Sequence, residues 1–446
     1  MSAESGTKSR VNKLLSDYGM LGVLILLCLL FSILTLSEQN SVGADAAKGI
    51  SRRLRNRDVS GNIMIITQQN EQDRSFAEAL ESGLRSRGSI FIFQGGPSEI
   101  RSKLEGLPDS VLSNAAIMTT ESYAPAVKSI IAQFPSLSRA ELMTPPAYRW
   151  PTFLLADNLR NVANQIAVIA IIAIGMTMVI ITAGIDLSVG SLIALSAVVI
   201  AWIIGFMGGN GASVAAMFVA GLLAVLLCGL TGAFSGLMIT RFQIPPFIAT
   251  LAIMQVAAGV AYIISQGKPI YQLPDSFIGL GRGAEPLLKI PYAVILMILL
   301  YLAAHFLMSR TTLGRYVYAV GGNPEAARLA GIRVKGVILF VYTLCGILAG
   351  FGGVIMASQL KSGAPTYGLT YELYVIAAVV VGGTSLSGGE GRIFGTLIGA
   401  FIIAVIQNGM NLTNVETYTQ KVVLGLVILA AVLLDRLKQR RMARAR

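Results

Sequence analysis

The chain has 446 residues, 54% of them hydrophobic and only 13% charged, with a mean hydropathy of +0.68. That balance excludes a soluble domain of this size and fits a membrane protein. The net charge of +12 gathers at the edges of apolar runs, where it sets membrane orientation, and does not argue for nucleic acid.

Residues 1–17 form a basic N-terminus carrying Lys8, Arg10 and Lys13, expected on the cytoplasmic side. Residues 18–36 make the first apolar run, long for a signal-peptide core and suited to a span. Ala44-Asp45-Ala46 resembles a cleavage site but lies well past that run, which favours an uncleaved anchor. Segment 38–152 then changes composition, mixing both charges and holding no apolar span. Asn62–Thr67, Ser89–Phe93 and Ala115–Thr119 read as strands. Ser75–Arg87, Ser98–Leu107 and Ala124–Phe134 read as helices, the first with Phe76, Ala79, Leu80 and Leu84 on one face. Alternation of this kind predicts a parallel sheet built from βαβ units. Its opening resembles the first lobe of periplasmic sugar-binding proteins, but the segment is too short for two lobes. A packed accessory domain and a receiver for a separate solute-binding protein both remain open.

From 158 to 435 the pattern is that of a membrane core. Apolar runs fall at Val162–Ala183, Leu187–Phe206, Val214–Ile239, Phe247–Ile264, Ile290–Met308, Val337–Ala357, Leu369–Gly383, Ile393–Met410 and Val422–Leu434. With the first run this predicts an all-α polytopic membrane protein of about ten transmembrane helices, carrying an inserted small α/β extracytoplasmic domain. Two runs are short, so a broken or re-entrant segment lining a cavity is expected among them. Basic residues cluster on one side, at Arg241, Arg310, Arg315, Arg328, Arg333, Lys335, Arg392 and the tail 436–446. The opposite short loops hold Lys268, Arg282, Lys289, Lys361 and Lys421. The positive-inside rule then puts 310–335 in the cytoplasm.

Within that basic stretch lies Gly321-Gly-Asn-Pro-Glu-Ala-Ala-Arg-Leu-Ala-Gly-Ile332, a two-turn helix with both ends written in the sequence. Asn323 is a good N-cap and Pro324 suits the first helical position. Glu325 sits at the positive end of the dipole, and Gly331 can take the left-handed conformation that stops the helix. Ala326, Ala327, Leu329 and Ala330 add a small apolar surface. The residues alone allow a simple connector. The spacing of Glu325, Ala326, Ala327 and Gly331 resembles the EAA-xxx-G coupling loop of ABC importer permeases, which docks on the ATP-hydrolysing subunit. The Leu-Pro pair that follows in many such loops is absent.

Other polar residues could line a path. Asp186 and Ser188, in Gly184-Ile-Asp-Leu-Ser-Val-Gly190, can cap the following helix or face the path. Gln255 lies mid-span, and Gln407, Asn408 and Asn411 lie near the end of another span. Such amides can pair helices or offer hydrogen bonds to a polyhydroxylated solute. The stretch 382–392 looks like a phosphate cradle but lacks the Lys-Ser/Thr of a P-loop, and reads as a tight turn. No complete nucleotide motif exists, so ATP is expected on a partner subunit and no cofactor here. Cys28, Cys228 and Cys345 read as small buried hydrophobes, and the lone His305 makes a metal site improbable. No catalytic residue is expected.

Three longer stretches carry a broad resemblance: Gly175–Ser191, Gly314–Glu325 and Ala377–Gly388. They look like the ribose-type permeases of bacterial ABC sugar importers, over about 158–435. The resemblance implies a dimeric inner-membrane permease, with a second copy or a paralogue as its other half. It also implies a cytoplasmic ABC ATPase and a periplasmic sugar-binding protein as partners. The 38–152 segment departs from the family, whose members have a short loop there. A membrane-anchored solute sensor and a secondary transporter are the alternatives. Against the first, there is no cytoplasmic output domain, and against the second, the intramembrane carboxylates that ion coupling needs are almost absent.

Overall fold

The computed structural model describes residues 19–54, 62–85, 88–113, 115–138 and 140–444. The expected N-terminus 1–17 lies outside them. The chain divides into two compact units, one spanning Leu36–Thr152 and the other holding the rest. Helix α1 (Gly19–Leu34) belongs to the larger unit, and its Phe31 packs with Phe153 and Val405.

The smaller unit opens and closes on one antiparallel pair, β1 (Leu36–Asn40) with β6 (Ala147–Pro151), Leu36 lying opposite Pro151. Between them run α2 (Gly43–Leu54), β2 (Asn62–Thr67), α3 (Glu71–Leu84), β3 (Ile90–Gln94), α4 (Pro97–Glu105), α5 (Asp109–Leu112), β4 (Ala115–Met118), α6 (Ala124–Ile131) and β5 (Glu141–Met143). Strands β2 to β5 form a parallel sheet in the order β3-β2-β4-β5. Strand β2 sits inside it, so both of its faces are buried and its residues read as one apolar run. Ile63 and Ile65 face a core shared with Phe76 and Leu80, while Met64 and Ile66 join Ile100, Ile117 and Val127 on the other side. The expected parallel sheet is thus present, with β2 at its predicted bounds. Helix α3 starts four residues before its predicted start because Asn70 caps it, accepting from the Asp73 amide at 2.8 Å. The expectation missed α2, which buries Ala46, Ala47, Ile50 and Leu54 behind a strongly polar outer face. The suspected cleavage motif is the start of that helix.

The larger unit continues with α7 (Ala156–Ile181), α8 (Val189–Phe206), α9 (Val214–Phe242), α10 (Pro246–Ser265), α11 (Ile278–Arg282), α12 (Tyr292–Arg310), α13 (Thr312–Gly322), α14 (Pro324–Leu329), α15 (Val334–Leu360), α16 (Tyr371–Val381), α17 (Ile393–Leu412) and α18 (Thr417–Arg444). Seven of these, α7, α8, α9, α10, α12, α15 and α17, are long and apolar enough to cross a membrane. Helices α1 and α16 and the apolar part of α18 (Thr417–Leu433) are shorter. Helix α7 is apolar all round and buried continuously from Ile166 to Ile181, as suits a central helix. Helix α15 packs on α7, α8 and α9. Gly232 and Gly346 let α9 and α15 meet backbone to backbone, since a Cβ on either would strike the other helix.

The run at Leu369–Gly383, one of the two short ones among which a broken segment is expected, is not one continuous helix. Helix α16 has 11 residues, about 16 Å at ~1.5 Å per residue, half of what a bilayer core requires. The chain before it is not helical. Gly363 lies against Ala197 and Gly368 against Gly190, so this stretch descends along α8 before α16 begins. Glu372 in the first turn of α16 packs its carboxylate against Gly190, a charged residue in an apolar run that the sequence reading passed over. Lining of a path or cavity by irregular backbone is the usual reason for such a break.

Candidate coupling helix and translocation site

Helix α14 forms as its caps dictate. The Asn323 side chain accepts from the Ala326 amide at 3.0 Å, and Pro324 opens the helix. Glu325 pairs with Arg328 at 2.8 Å, both well exposed. The Ile332 amide closes back on Ala327 O at 3.0 Å, and Gly331 turns the chain with φ of +83°. The helix has six residues rather than two full turns.

Which residues face outward differs from the expectation. Ala327 is buried and packs inward, so it anchors the helix rather than offering a surface. Ala326 and Ala330 are exposed, and Leu329 is 83% exposed. Leu329 thus stands bare on a helix that also exposes the Glu325–Arg328 pair. Helix α13, an unforeseen element, leads into α14. Its N-cap is Thr311, accepting from the Gly314 amide at 3.2 Å.

Behind α14 the backbone is locked. Gly321, at the end of α13, lies where a Cβ would overlap Ile181 O and Gly389 N. The Gly389 amide donates to Ile181 O at 2.8 Å, and the Tyr318 hydroxyl to Gly391 O at 2.8 Å. The glycine-rich stretch 382–392 is therefore a tight turn, as its sequence suggests, wedged between α7 and α13. Its Gly383, Gly388 and Gly389 all have positive φ.

The loop between α7 and α8 is buried at Asp186 and Ser188. Asp186 Oδ1 accepts from the Ser188 amide at 2.9 Å and from the Ser188 hydroxyl at 2.6 Å. The carboxylate thus closes its own loop, and Ser188 gives α8 no side-chain cap. Asp186 Oδ2 makes no hydrogen bond of normal geometry, and the Cys345 thiol of α15 lies beside it. Two neighbours fix the loop. Thr250 of α10 accepts from the Leu187 amide at 3.2 Å, and the Tyr342 hydroxyl of α15 donates to Ile185 O at 3.4 Å.

The amides separate into two groups. Asn408 exchanges two hydrogen bonds with Asn158 of α7, at 2.9 and 3.0 Å. Asn411 accepts from Gln420 of α18 at 2.8 Å. These two tie helices together. Gln407 has no hydrogen-bond partner among the described residues and borders a cavity between α7, α15, α16 and α17. Gln255 is exposed on α10, flanked by exposed Leu251 and Val256. His305 packs against Phe394, ring centres 4.7 Å apart. Past the end of α15, Lys361 pairs with Asp275, and its hydrogen bond, together with its charge, holds the Asp275 carboxyl below the usual carboxylate range.

Seven long apolar helices, shorter ones beside them and a short capped helix exposed at one end define the architecture of a multi-pass membrane protein. Residues 158–432 match the family described as branched-chain amino acid transport system, permease component, and the chain belongs to that family. It is a multi-pass inner-membrane protein, a transport component of the ABC importer class. The chain is 45% identical to the ribose import permease protein of Escherichia coli strain K12 over 293 residues, 65% of this chain and 88% of that one. It is 45% identical to the ribose import permease protein of Bacillus subtilis strain 168 over 297 residues, 65% and 87% of the two chains. The D-allose transport system permease protein of E. coli strain K12 is 39% identical over 308 residues, 69% and 89% of the two chains. No solved structure matches the chain.

Proposed function

We propose that this chain is the membrane path of an ATP-driven importer of a ribose-like monosaccharide, and that α14 is where a separate ATPase docks. The curated relatives are named for ribose and allose, and the reading brings that substrate class to this chain. One observation carries the coupling role: Leu329, almost bare, on a helix whose base is locked to α7 and the 382–392 turn. A push on α14 reaches the core through Gly321, because backbone in van der Waals contact cannot absorb displacement by side-chain motion.

In this reading α14 faces the cytoplasm, unit 36–152 lies outside, and α1, α18 and the broken segment that ends in α16 complete about ten passes. ATP binds the partner, so the chain needs no cofactor and catalyses no reaction. A binding protein delivers the sugar, and a second permease copy or a paralogue completes the pathway. Asp186 and Ser188 hold the α7–α8 loop in place beside that pathway.

The test is uptake into proteoliposomes holding the chain, its ATPase and its binding protein. ATP-dependent entry of D-ribose, D-allose or L-arabinose is expected. Glu325→Arg and Gly331→Val should then hydrolyse ATP without importing sugar. Uptake that proceeds without ATP, or that collapses with an ionophore, would show a secondary transporter instead.

A further inference from the structure

At the end of α15 farthest from α14 the helices leave a cavity of about 260 Å³ between α7, α15, α16 and α17. Each contributes one polar side chain: Gln165, Gln359, Tyr371 and Gln407. The other lining residues are aliphatic or methionine. Among the described residues, Gln165, Gln407 and the Tyr371 hydroxyl make no hydrogen bond within the protein. Gln359 donates one, to Asn164 O at 3.0 Å, which leaves its carbonyl oxygen uncommitted. Gln165 is exposed and Gln359, Tyr371 and Gln407 are half-buried, so the cavity is open on one side and its polar groups remain available to water or a ligand. The break before α16 places Tyr371 here, and Tyr374 stacks on it edge-on at 6.1 Å.

The chemistry of the lining selects the ligand. It holds no Asp, Glu, Lys, Arg or His. A zwitterionic amino acid held here would find no charged side chain in the lining to pair with either of its charges. A neutral ring with several hydroxyls has no charge to pair. Primary amides donate and accept, matching hydroxyls that do both, and an aromatic ring suits the apolar face of a sugar. Depth agrees with entry from that end. Gln359 lies one residue from the end of α15, Gln407 five from the end of α17, and Gln165 nine from the start of α7. At ~1.5 Å per residue these are depths of about 2, 8 and 14 Å.

We propose that the cavity bounded by Gln165, Gln359, Tyr371 and Gln407 is a binding subsite for a neutral monosaccharide entering from the side opposite α14. The proposal rests on reading the chain as a sugar-importer permease, and it adds where the sugar is held and why an amino acid is refused. Near-isosteric Gln165→Met and Gln407→Met variants test it in the complete complex with ATPase and binding protein. Uptake of the transported sugar should fall about fivefold in each, the effect of one lost hydrogen bond. Wild-type preference for the sugar over the monodeoxy analogue lacking the hydroxyl concerned should shrink as well, which a merely structural role would not cause. Full uptake and full preference in the double variant would overturn the subsite while leaving the importer reading intact. A wild-type complex that imports L-leucine and no sugar would overturn both. Should a variant fail to assemble, a Gln407→Cys chain with Cys28 replaced by Ser can be alkylated by a maleimide instead. Protection of that thiol by the transported sugar is expected, and an unchanged labelling rate would sink the proposal.

Discussion

The two ends of α15 are built on opposite plans. At Val334 the helix follows α14 beside a region where α7, α13 and the 382–392 turn meet backbone to backbone. At Leu360 it faces a cavity whose polar side chains have few partners. The first end is stiff and presents one bare leucine, while the second is open and presents amides. An element that receives force has to be rigid to pass it on. An element that receives a solute has to keep hydrogen-bonding capacity in reserve. About 40 Å of helix separates the two, given 27 residues at ~1.5 Å each.

The largest effect should come from breaking the stiff end at its base. Gly321→Val puts branched carbon where Ile181 O and Gly389 N already lie. Neither is a flexible side-chain tip, so the backbones must part, at a cost on the order of 4 kcal/mol or more. The variant is expected to be poorly assembled and degraded, read by membrane yield and detergent-extracted unfolding. Normal yield and thermal stability would show that the α7–α13 junction is softer than drawn here.

Surface changes on α14 should separate docking from folding. Leu329→Glu leaves the core untouched because the side chain is 83% exposed. It should lower ATP-dependent uptake about tenfold, the loss expected for one interface anchor of about 1.4 kcal/mol, with little change in membrane yield. Unchanged uptake would move the dock elsewhere. Asn323→Ala is a milder probe. It removes the bond to the Ala326 amide, costs about 1 kcal/mol of local helix stability, and should raise the proteolytic sensitivity of residues 323–332 before it affects global unfolding.

This contrast also explains what the sequence disclosed. Helix α14 was legible because its signals are local: Asn323, Pro324 and Gly331 act within a turn of their own position. Strand β2 was legible because burial on both faces leaves an unbroken apolar run. The opposite end was legible only in part: a broken segment was expected among the two short runs, but not which of them it would be. An apolar run reads the same whether it spans as a helix or unwinds before Tyr371, and only α8, pressed against Gly363 and Gly368, decides between them. Asn408 resembled Gln407 in every local respect. Its partner Asn158 lies 250 residues away, and nothing nearby could announce that one amide was taken and the other free. The inward turn of Ala327 follows from its packing on the core of the rest of the chain, which the composition of the helix does not contain.

The smallest expected effect lies at the open end, in the ion pair of Lys361 with Asp275. Asp275 is 90% exposed and Lys361 37% exposed by side chain, so water screens their attraction and little stability depends on it. The pairing still has a titration signature. Lys361 lowers the Asp275 carboxyl below its ordinary range. The folded state therefore binds its proton less readily than the unfolded chain. Any stabilisation is complete above the unfolded carboxylate pKa, near 3.9, and disappears as pH falls through the lower folded value. Lys361→Gln should return Asp275 toward the ordinary range, followed by carbon-13 NMR of the labelled carboxylate, and leave the unfolding temperature at pH 7 nearly unchanged. A large fall in that temperature would mean that this end is braced as firmly as the coupling end, and the proposed division of labour along α15 would lose its basis.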